Sequence, residues 1–235
     1  MKVWGYWATL GWGILAFLVG QFVALAVLVW WRVGDLDSLI NVPFDGITVT
    51  LFILVANPIT VAILALAVRL ARASQVEYLA LVLPTTNYVK MGVVGLVVLI
   101  ALGDTLLYFS GQDLVTQFQL QSYSTAAAEG WLPALLIAAI IIAPAAEEVI
   151  FRGFLFRGWA RSDRAAWPAI VVISVLWAAL HVQYDVIGIA QIFVIGLFLG
   201  WLRWRSGSML LTVLLHALFN AEGTLETALK ISFFS

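Results

Sequence analysis

The chain has 235 residues, of which 63% are hydrophobic and only 11% are charged, and its formal net charge is −1. Soluble domains are about half apolar and about a quarter charged, so this composition excludes a soluble globule with a polar surface. The charge balance gives no indication of nucleic-acid binding, and the lack of cysteine excludes disulfides, thiol nucleophiles and cysteine metal sites. We therefore predict an integral multi-pass membrane protein, with the lipid bilayer as a partner.

Long apolar runs along the chain predict transmembrane helices, because the strands of a membrane barrel alternate in polarity. A membrane-spanning helix needs about 20 mostly apolar residues. The predicted fold is an all-α polytopic transmembrane bundle of seven to eight spans, which forms a single domain over residues 1–235. The candidate spans, the last of them a short eighth, are 8–30, 46–69, 90–110, 131–156, 167–186, 187–203, 208–222 and 224–234.

The distribution of lysine and arginine predicts a cytoplasmic N-terminus. Connections on the cytoplasmic side of a membrane protein carry an excess of these residues. With the N-terminus inside, only Arg32 and Lys230 fall on the outer side, and Arg152 lies near the inner boundary. The inner side then holds Lys2, Arg69, Arg72, Lys90, Arg157, Arg161, Arg164, Arg203 and Arg205.

The fourth apolar run ends in charged residues, within the stretch APAAEEVIFRGFLFRGW at 143–159. Glu148 and Arg152 are four residues apart and share one helix face, so the arginine can pair with this carboxylate. Glu147 points about 100° away around the helix and is left for another partner. An ionisable group at the centre of a membrane helix costs about 2.5–3.5 kcal/mol, so these side chains must face the protein interior.

Both histidines of the chain lie in the predicted spans that follow. His181 ends the segment WAALH at 177–181, and His216 begins HALFN at 216–220, where Asn220 is four residues further on. The spacing from the inner turns places Glu147, His181, His216 and Asn220 at nearly one depth in antiparallel helices. We therefore predict a polar cavity among the fourth, fifth and seventh spans, with Glu147 as a general base acting on water.

Two other functions are consistent with buried polar groups. A non-catalytic scaffold, an immunity protein or a secretion-associated protein could use the same side chains to join its helices. An ion-coupled transporter could use the buried carboxylates, although the chain lacks the inverted repeats of many transporters. The complete set of six polar residues at matching depth favours an enzyme.

The three motifs together resemble those of the CAAX protease and bacteriocin-processing family of intramembrane proteases. The motifs are EExxxR, an aromatic residue followed four positions later by histidine, and HxxxN, on successive apolar helices. The resemblance covers roughly 131–222, which would be the catalytic core, whereas 1–110 matches only as three accessory spans. It implies an endopeptidase that cleaves a membrane-associated peptide or protein, with prenylated substrates in the eukaryotic members.

Site roles follow from the resemblance residue by residue. The catalytic set would be Glu147, Glu148, Arg152, His181, His216 and Asn220. Glu147 and His181 would activate water, and His216 with Asn220 would stabilise the oxyanion. Trp177 departs from the family pattern, which usually has phenylalanine there, and we expect little consequence from this change.

The sequence leaves the cofactor open. Glu147, His181 and His216 could ligate zinc with one position free for water. The HExxH signature of zinc proteases is absent, and a metal-free glutamate base fits the same residues and is slightly favoured. The short chain resembles a prokaryotic member, which predicts a plasma-membrane location, while the sequence does not indicate the oligomeric state or whether the substrate is prenylated.

Overall fold

The structure, a computed structural model, describes residues 3–31 and 45–234, and every regular element within them is helical. Nine helices follow one another in these two segments. They are α1 (Tyr6–Trp31), α2 (Gly46–Leu70), α3 (Gln75–Leu79), α4 (Thr86–Phe109), α5 (Gln117–Ala128), α6 (Leu132–Trp159), α7 (Asp163–Ala179), α8 (Val186–Ser206) and α9 (Met209–Phe234).

Helices α1 and α2 pack closely because small residues line their shared face. The buried positions of α1 recur every three or four residues and include Gly13, Ala16 and Gly20. A side chain at Gly20 would meet the Thr60 hydroxyl at 2.3 Å and the Ala56 carbonyl oxygen at 2.6 Å. Small residues allow membrane helices to approach closely, so this stripe sets the separation of the pair.

Gly20→Ala is therefore expected to destabilise the protein, whereas Gly11→Ala is not. The new methyl group at Gly20 would overlap the backbone of α2, and overpacking of this kind costs about 1–3 kcal/mol. Gly11 lies on the same helix with no atom within 4 Å of its added carbon, so it provides the matched control. Thermal unfolding in detergent measures the difference, and equal midpoints for the two variants would contradict the close packing.

Helix α6 lies at the centre of the bundle and is not a regular α-helix. It contacts helices from both halves of the chain, including α1, α2, α8 and α9. Two wider π-helical turns, Ala138–Ile142 and Val149–Leu155, flank the regular segment Ala143–Glu148. Pro144 has no N–H and its ring conflicts with the carbonyl group four residues earlier, which accounts for the first wide turn.

The C-terminal helices differ from their predicted boundaries. The predicted junction at 186/187 is wrong, because α7 ends at Ala179 and α8 begins at Val186. Asp185 caps α8 by accepting a hydrogen bond from the Gly188 N–H at 2.7 Å, a local signal that the hydropathy pattern hides. The predicted runs 208–222 and 224–234 form one continuous helix, α9, and the polar connection 111–130 contains α5.

Five of the described helices are long and apolar enough to cross a membrane: α1, α2, α4, α6 and α8. The prediction of seven to eight spans is therefore not confirmed. With 17 residues, α7 is at the lower limit of a span, and α9 carries charged residues in its second half. The structure agrees with an all-helical integral membrane protein, and Lys2 and Arg32 of the orientation argument lie outside the described residues.

Candidate active site

Glu148 is fully buried and lies between two basic side chains. Its solvent exposure is 0%, and its Oε1 accepts a hydrogen bond of 2.8 Å from Arg152 Nη1. The same oxygen lies 3.0 Å from Nδ1 of His216, which is 2% exposed. A buried charge must be paired and hydrogen-bonded to be tolerated, and Glu148 meets this requirement at Oε1 through α6 and α9, whereas its buried Oε2 has no hydrogen-bond partner among the described residues.

Arg152 joins α6 to α8 through its guanidinium group and its backbone. Its Nη2 donates to the Gly196 carbonyl oxygen at 3.2 Å, and its charged carbon lies 4.5 Å above the Trp177 ring. Its own carbonyl oxygen accepts a hydrogen bond of 3.0 Å from Arg203 Nε. These contacts hold the guanidinium group in one orientation against Glu148, as the proposed pairing requires.

Glu147 has a different environment from its neighbour. Its side chain is 27% exposed, and its Oε2 accepts a hydrogen bond of 2.6 Å from the indole N–H of Trp177. Nε2 of His216 is 3.9 Å from the same oxygen, which is too far for a direct hydrogen bond. Among the described residues no group donates to Oε1, which leaves this oxygen without a protein partner.

Trp177 is the residue whose importance the sequence did not indicate. Besides Glu147 and Arg152, its ring contacts His216 and His181 edge-on at centroid distances of 5.0 and 5.3 Å. Phenylalanine could make the ring contacts but has no N–H to donate to Glu147. The expectation that tryptophan here has little consequence does not fit this geometry. The sequence did contain a signal for this contact. An indole N–H donor lies four residues before a histidine, on a segment that follows the helix with two carboxylates.

His181 lies beside Trp177, but not within a helix as predicted. Helix α7 ends at Ala179, and His181 lies in the turn that leads to α8. Its Nδ1 is 2.8 Å from the Trp177 carbonyl oxygen, so the tautomer with Nδ1–H donates there and leaves Nε2 as an acceptor. The four-residue spacing still brings His181 to Trp177, because the turn continues the direction of the last helical turn.

Asn220 connects α9 to the first π-helical turn of α6. Its Nδ2 donates a hydrogen bond of 2.8 Å to the carbonyl oxygen of Ala139, and its side chain is half-buried. A side-chain amide has two N–H groups, so one donor remains for another partner. The structure thus groups Glu147, Glu148, Arg152 and His216 directly, reaches His181 through Trp177, and places Asn220 one helical turn from His216.

The residues considered for zinc do not form a compact ligand set. Among the described residues, three carboxylate or imidazole groups come within 4.8 Å of one another only at Asp104, Glu222 and Glu226. Glu147, His181 and His216 do not converge in this way. As placed, these three do not fit a zinc ion.

Comparisons with known proteins identify the part of the chain that carries the site. The family model for type II CAAX prenyl endopeptidase Rce1-like proteins matches residues 129–221. An uncharacterized 24.3 kDa protein of Escherichia coli is 37% identical over 83 residues, which cover 34% of this chain and 38% of that protein. No solved structure matches the chain. The predicted resemblance to the CAAX protease family is therefore confirmed over residues 129–221.

Proposed function

We propose that the protein is an intramembrane endopeptidase that cleaves a membrane-associated peptide or protein, with Glu147 as the general base. One observation carries this proposal: of two adjacent carboxylates, only Glu147 is partly exposed, at 27% against 0% for Glu148. Glu148 is buried and paired, so it supports the site rather than reacting. The match to the CAAX prenyl endopeptidase family supports the peptidase reaction.

The reaction would begin with water hydrogen-bonded to Oε1 of Glu147. Glu147 accepts a proton while the water oxygen forms a bond to the peptide carbonyl carbon, giving a tetrahedral oxyanion. The protonated Glu147 then donates to the peptide nitrogen, the C–N bond breaks, and the amine and the carboxylic acid leave. The indole N–H of Trp177 fixes Oε2, which keeps Oε1 oriented toward the water.

The other residues would orient the reacting groups and stabilise the oxyanion. Glu148 holds Nδ1 of His216, which turns Nε2 toward the reacting centre. When protonated, Nε2 of His216 donates to the oxyanion, together with the second N–H of Asn220. His181 accepts a hydrogen bond from the attacking water through Nε2. Arg152 neutralises Glu148 and maintains its orientation.

The proposed setting is a prokaryotic plasma membrane with the N-terminus in the cytoplasm and seven spans, in which α7 and α9 add to the five apolar helices. In this arrangement the candidate site lies between α6, α7 and α9 within the bilayer. A substrate would therefore reach Glu147 from the membrane rather than from bulk water, which favours a peptide that is itself anchored there.

The experiment is a cleavage assay of the purified protein reconstituted in bilayers. A peptide library with and without prenyl groups is offered, and each reaction is run with and without a metal chelator. We expect cleavage that persists with chelator. Loss with chelator and recovery with zinc would contradict the metal-free mechanism, and cleavage of freely soluble peptides alone would contradict the membrane-associated substrate.

Trp177→Phe is expected to lower kcat by about tenfold or more and to change KM little. The substitution keeps an aromatic ring but removes a hydrogen bond to a carboxylate, which contributes about 1.5–3 kcal/mol. Trp167, exposed on the same helix, provides the matched Trp→Phe control. A Trp177→Phe protein with the wild-type kcat would show that the indole N–H does not orient Glu147.

A further inference from the structure

A polar cavity lies beside the turn between α6 and α7, away from the carboxylates of the candidate site. Its volume is about 380 Å³, and three arginines line it against one aspartate. The residues used below are Phe156, Arg157, Arg161, Asp163, Arg203 and Trp204. This cavity is not part of the proposed peptidase mechanism, and the inference drawn from it does not depend on that mechanism.

Arg203 is a buried cation in this cavity without a carboxylate partner. Its exposure is 6%, its Nε donates to the Arg152 carbonyl oxygen, and its guanidinium group lies 5.2 Å from the Phe156 ring centre. Among the described residues no carboxylate is within ion-pair distance of it. A cation removed from water without a counter-charge is costly, so this position favours an anion.

Arg157 contributes a buried hydrogen-bond donor that has no described partner. Its Nε is buried and has no hydrogen-bond partner within the described part of the chain. Arg161, in contrast, is held in place by the carbonyl oxygens of Gly158 and Trp4 and lies over the Tyr6 ring. Of the three guanidinium groups in the cavity, only that of Arg161 is held by several protein contacts. Among the described residues, Arg157 lacks a hydrogen-bond partner at Nε and Arg203 lacks a carboxylate, so these two can provide several N–H donors for one anionic group.

The position of the cavity indicates the source of the anion. Trp159, Trp167 and Trp204 lie around the same turn, and Trp204 lines the cavity itself. Tryptophan at span ends is typical of the level of the lipid headgroups. Guanidinium groups bind phosphate oxygens in a bidentate manner, and basic pockets at this level of membrane proteins can hold lipid headgroups.

We propose that this cavity binds the phosphate of an anionic phospholipid headgroup, through Arg157 and Arg203. The backbone contact of Arg203 with Arg152 places the bound headgroup next to the helix that carries the candidate site. The lipid phosphate would supply the negative charge that no described residue provides to Arg203.

The test measures lipid retention by the purified full-length protein. The protein is reconstituted in phosphatidylcholine bilayers with a minor fraction of phosphatidylglycerol, and bound lipid is counted by native mass spectrometry after extraction. We expect the wild type to retain phosphatidylglycerol preferentially and Arg157→Gln to bind it about tenfold more weakly. Arg164→Gln and Arg205→Gln are matched controls, since both arginines are exposed near the same turn and neither lines the cavity.

Three results would overturn the proposal. One is the absence of any preference for phosphatidylglycerol. Another is equal loss in all three arginine variants, which would indicate general surface attraction. The third is displacement of the retained lipid by inorganic phosphate at equal concentration, which would indicate a site for a free anion. Arg203 also donates a hydrogen bond to the backbone of α6, so Arg203→Gln can be interpreted only if the variant folds. The proposal is therefore decided by Arg157→Gln.

Discussion

Glu147→Gln is expected to lower the cleavage rate by at least 10²–10⁴-fold, the range typical for loss of a general base. Glutamine has nearly the same volume and can still accept the hydrogen bond from Trp177 through its amide oxygen. It cannot take a proton from water, so the chemical step is lost while the packing is kept. The cleavage rate and the thermal midpoint are measured on the same reconstituted preparation, and the midpoint is expected to stay near that of the wild type.

Glu148→Gln is the matched comparison, because the two glutamates are adjacent but differ in burial and partners. This substitution removes the negative charge beside Arg152 and His216 in a site with 0% exposure, so it is expected to lower stability as well as activity. A Glu147→Gln protein that cleaves at the wild-type rate would exclude Glu147 as the base. Equal loss of stability in both variants would show that the two carboxylates do not differ in their contribution to folding stability.

Arg152→Ala is expected to lower the free energy of unfolding by about 3–5 kcal/mol. The change removes the 2.8 Å ion pair with Glu148, the hydrogen bond to Gly196 and the stacking on Trp177. Glu148 would then remain in a buried site with only His216 beside it. Unfolding in detergent, followed by heat or denaturant, measures the loss.

Arg205→Ala is the control for Arg152→Ala, because it removes an arginine that is exposed near the end of α8. Exposed charged residues contribute little, so its unfolding should match that of the wild type within about 1 kcal/mol. If Arg152→Ala also unfolds like the wild type, the pair with Glu148 does not stabilise the protein.

The sequence was sufficient to predict which parts of the chain meet. Hydropathy indicates helices directly, and the four-residue spacing of Glu148 with Arg152 predicts contact on one face of α6. Helical rise and antiparallel packing predicted that Glu147 lies near His216, but in the structure it is Glu148 that lies 3.0 Å from His216, whereas Glu147 is 3.9 Å from it. These features depend on regular geometry, which a sequence pattern can represent.

The features that the sequence could not predict depend on local departures from regular helices. The first π-helical turn of α6 arises at Pro144, and neither it nor the second is reported by hydropathy periodicity. His181 leaves the helix because α7 ends early and Asp185 caps α8. The bond from Trp177 to Glu147 joins residues 30 positions apart, so it requires the relative rotation of two helices.

The most direct test of Glu147 as the base is a single-turnover cleavage in water enriched in ¹⁸O, using a peptide that the reconstituted protein cleaves. If Glu147 activates water, the new carboxyl group of the product carries one ¹⁸O and the Glu147 side chain carries none. If Glu147 instead attacked the carbonyl carbon, an anhydride would form, and its hydrolysis by water at the Glu147 carboxyl carbon would place ¹⁸O in the Glu147 carboxylate while product appeared without label. We predict the first result, and label in Glu147 would contradict it.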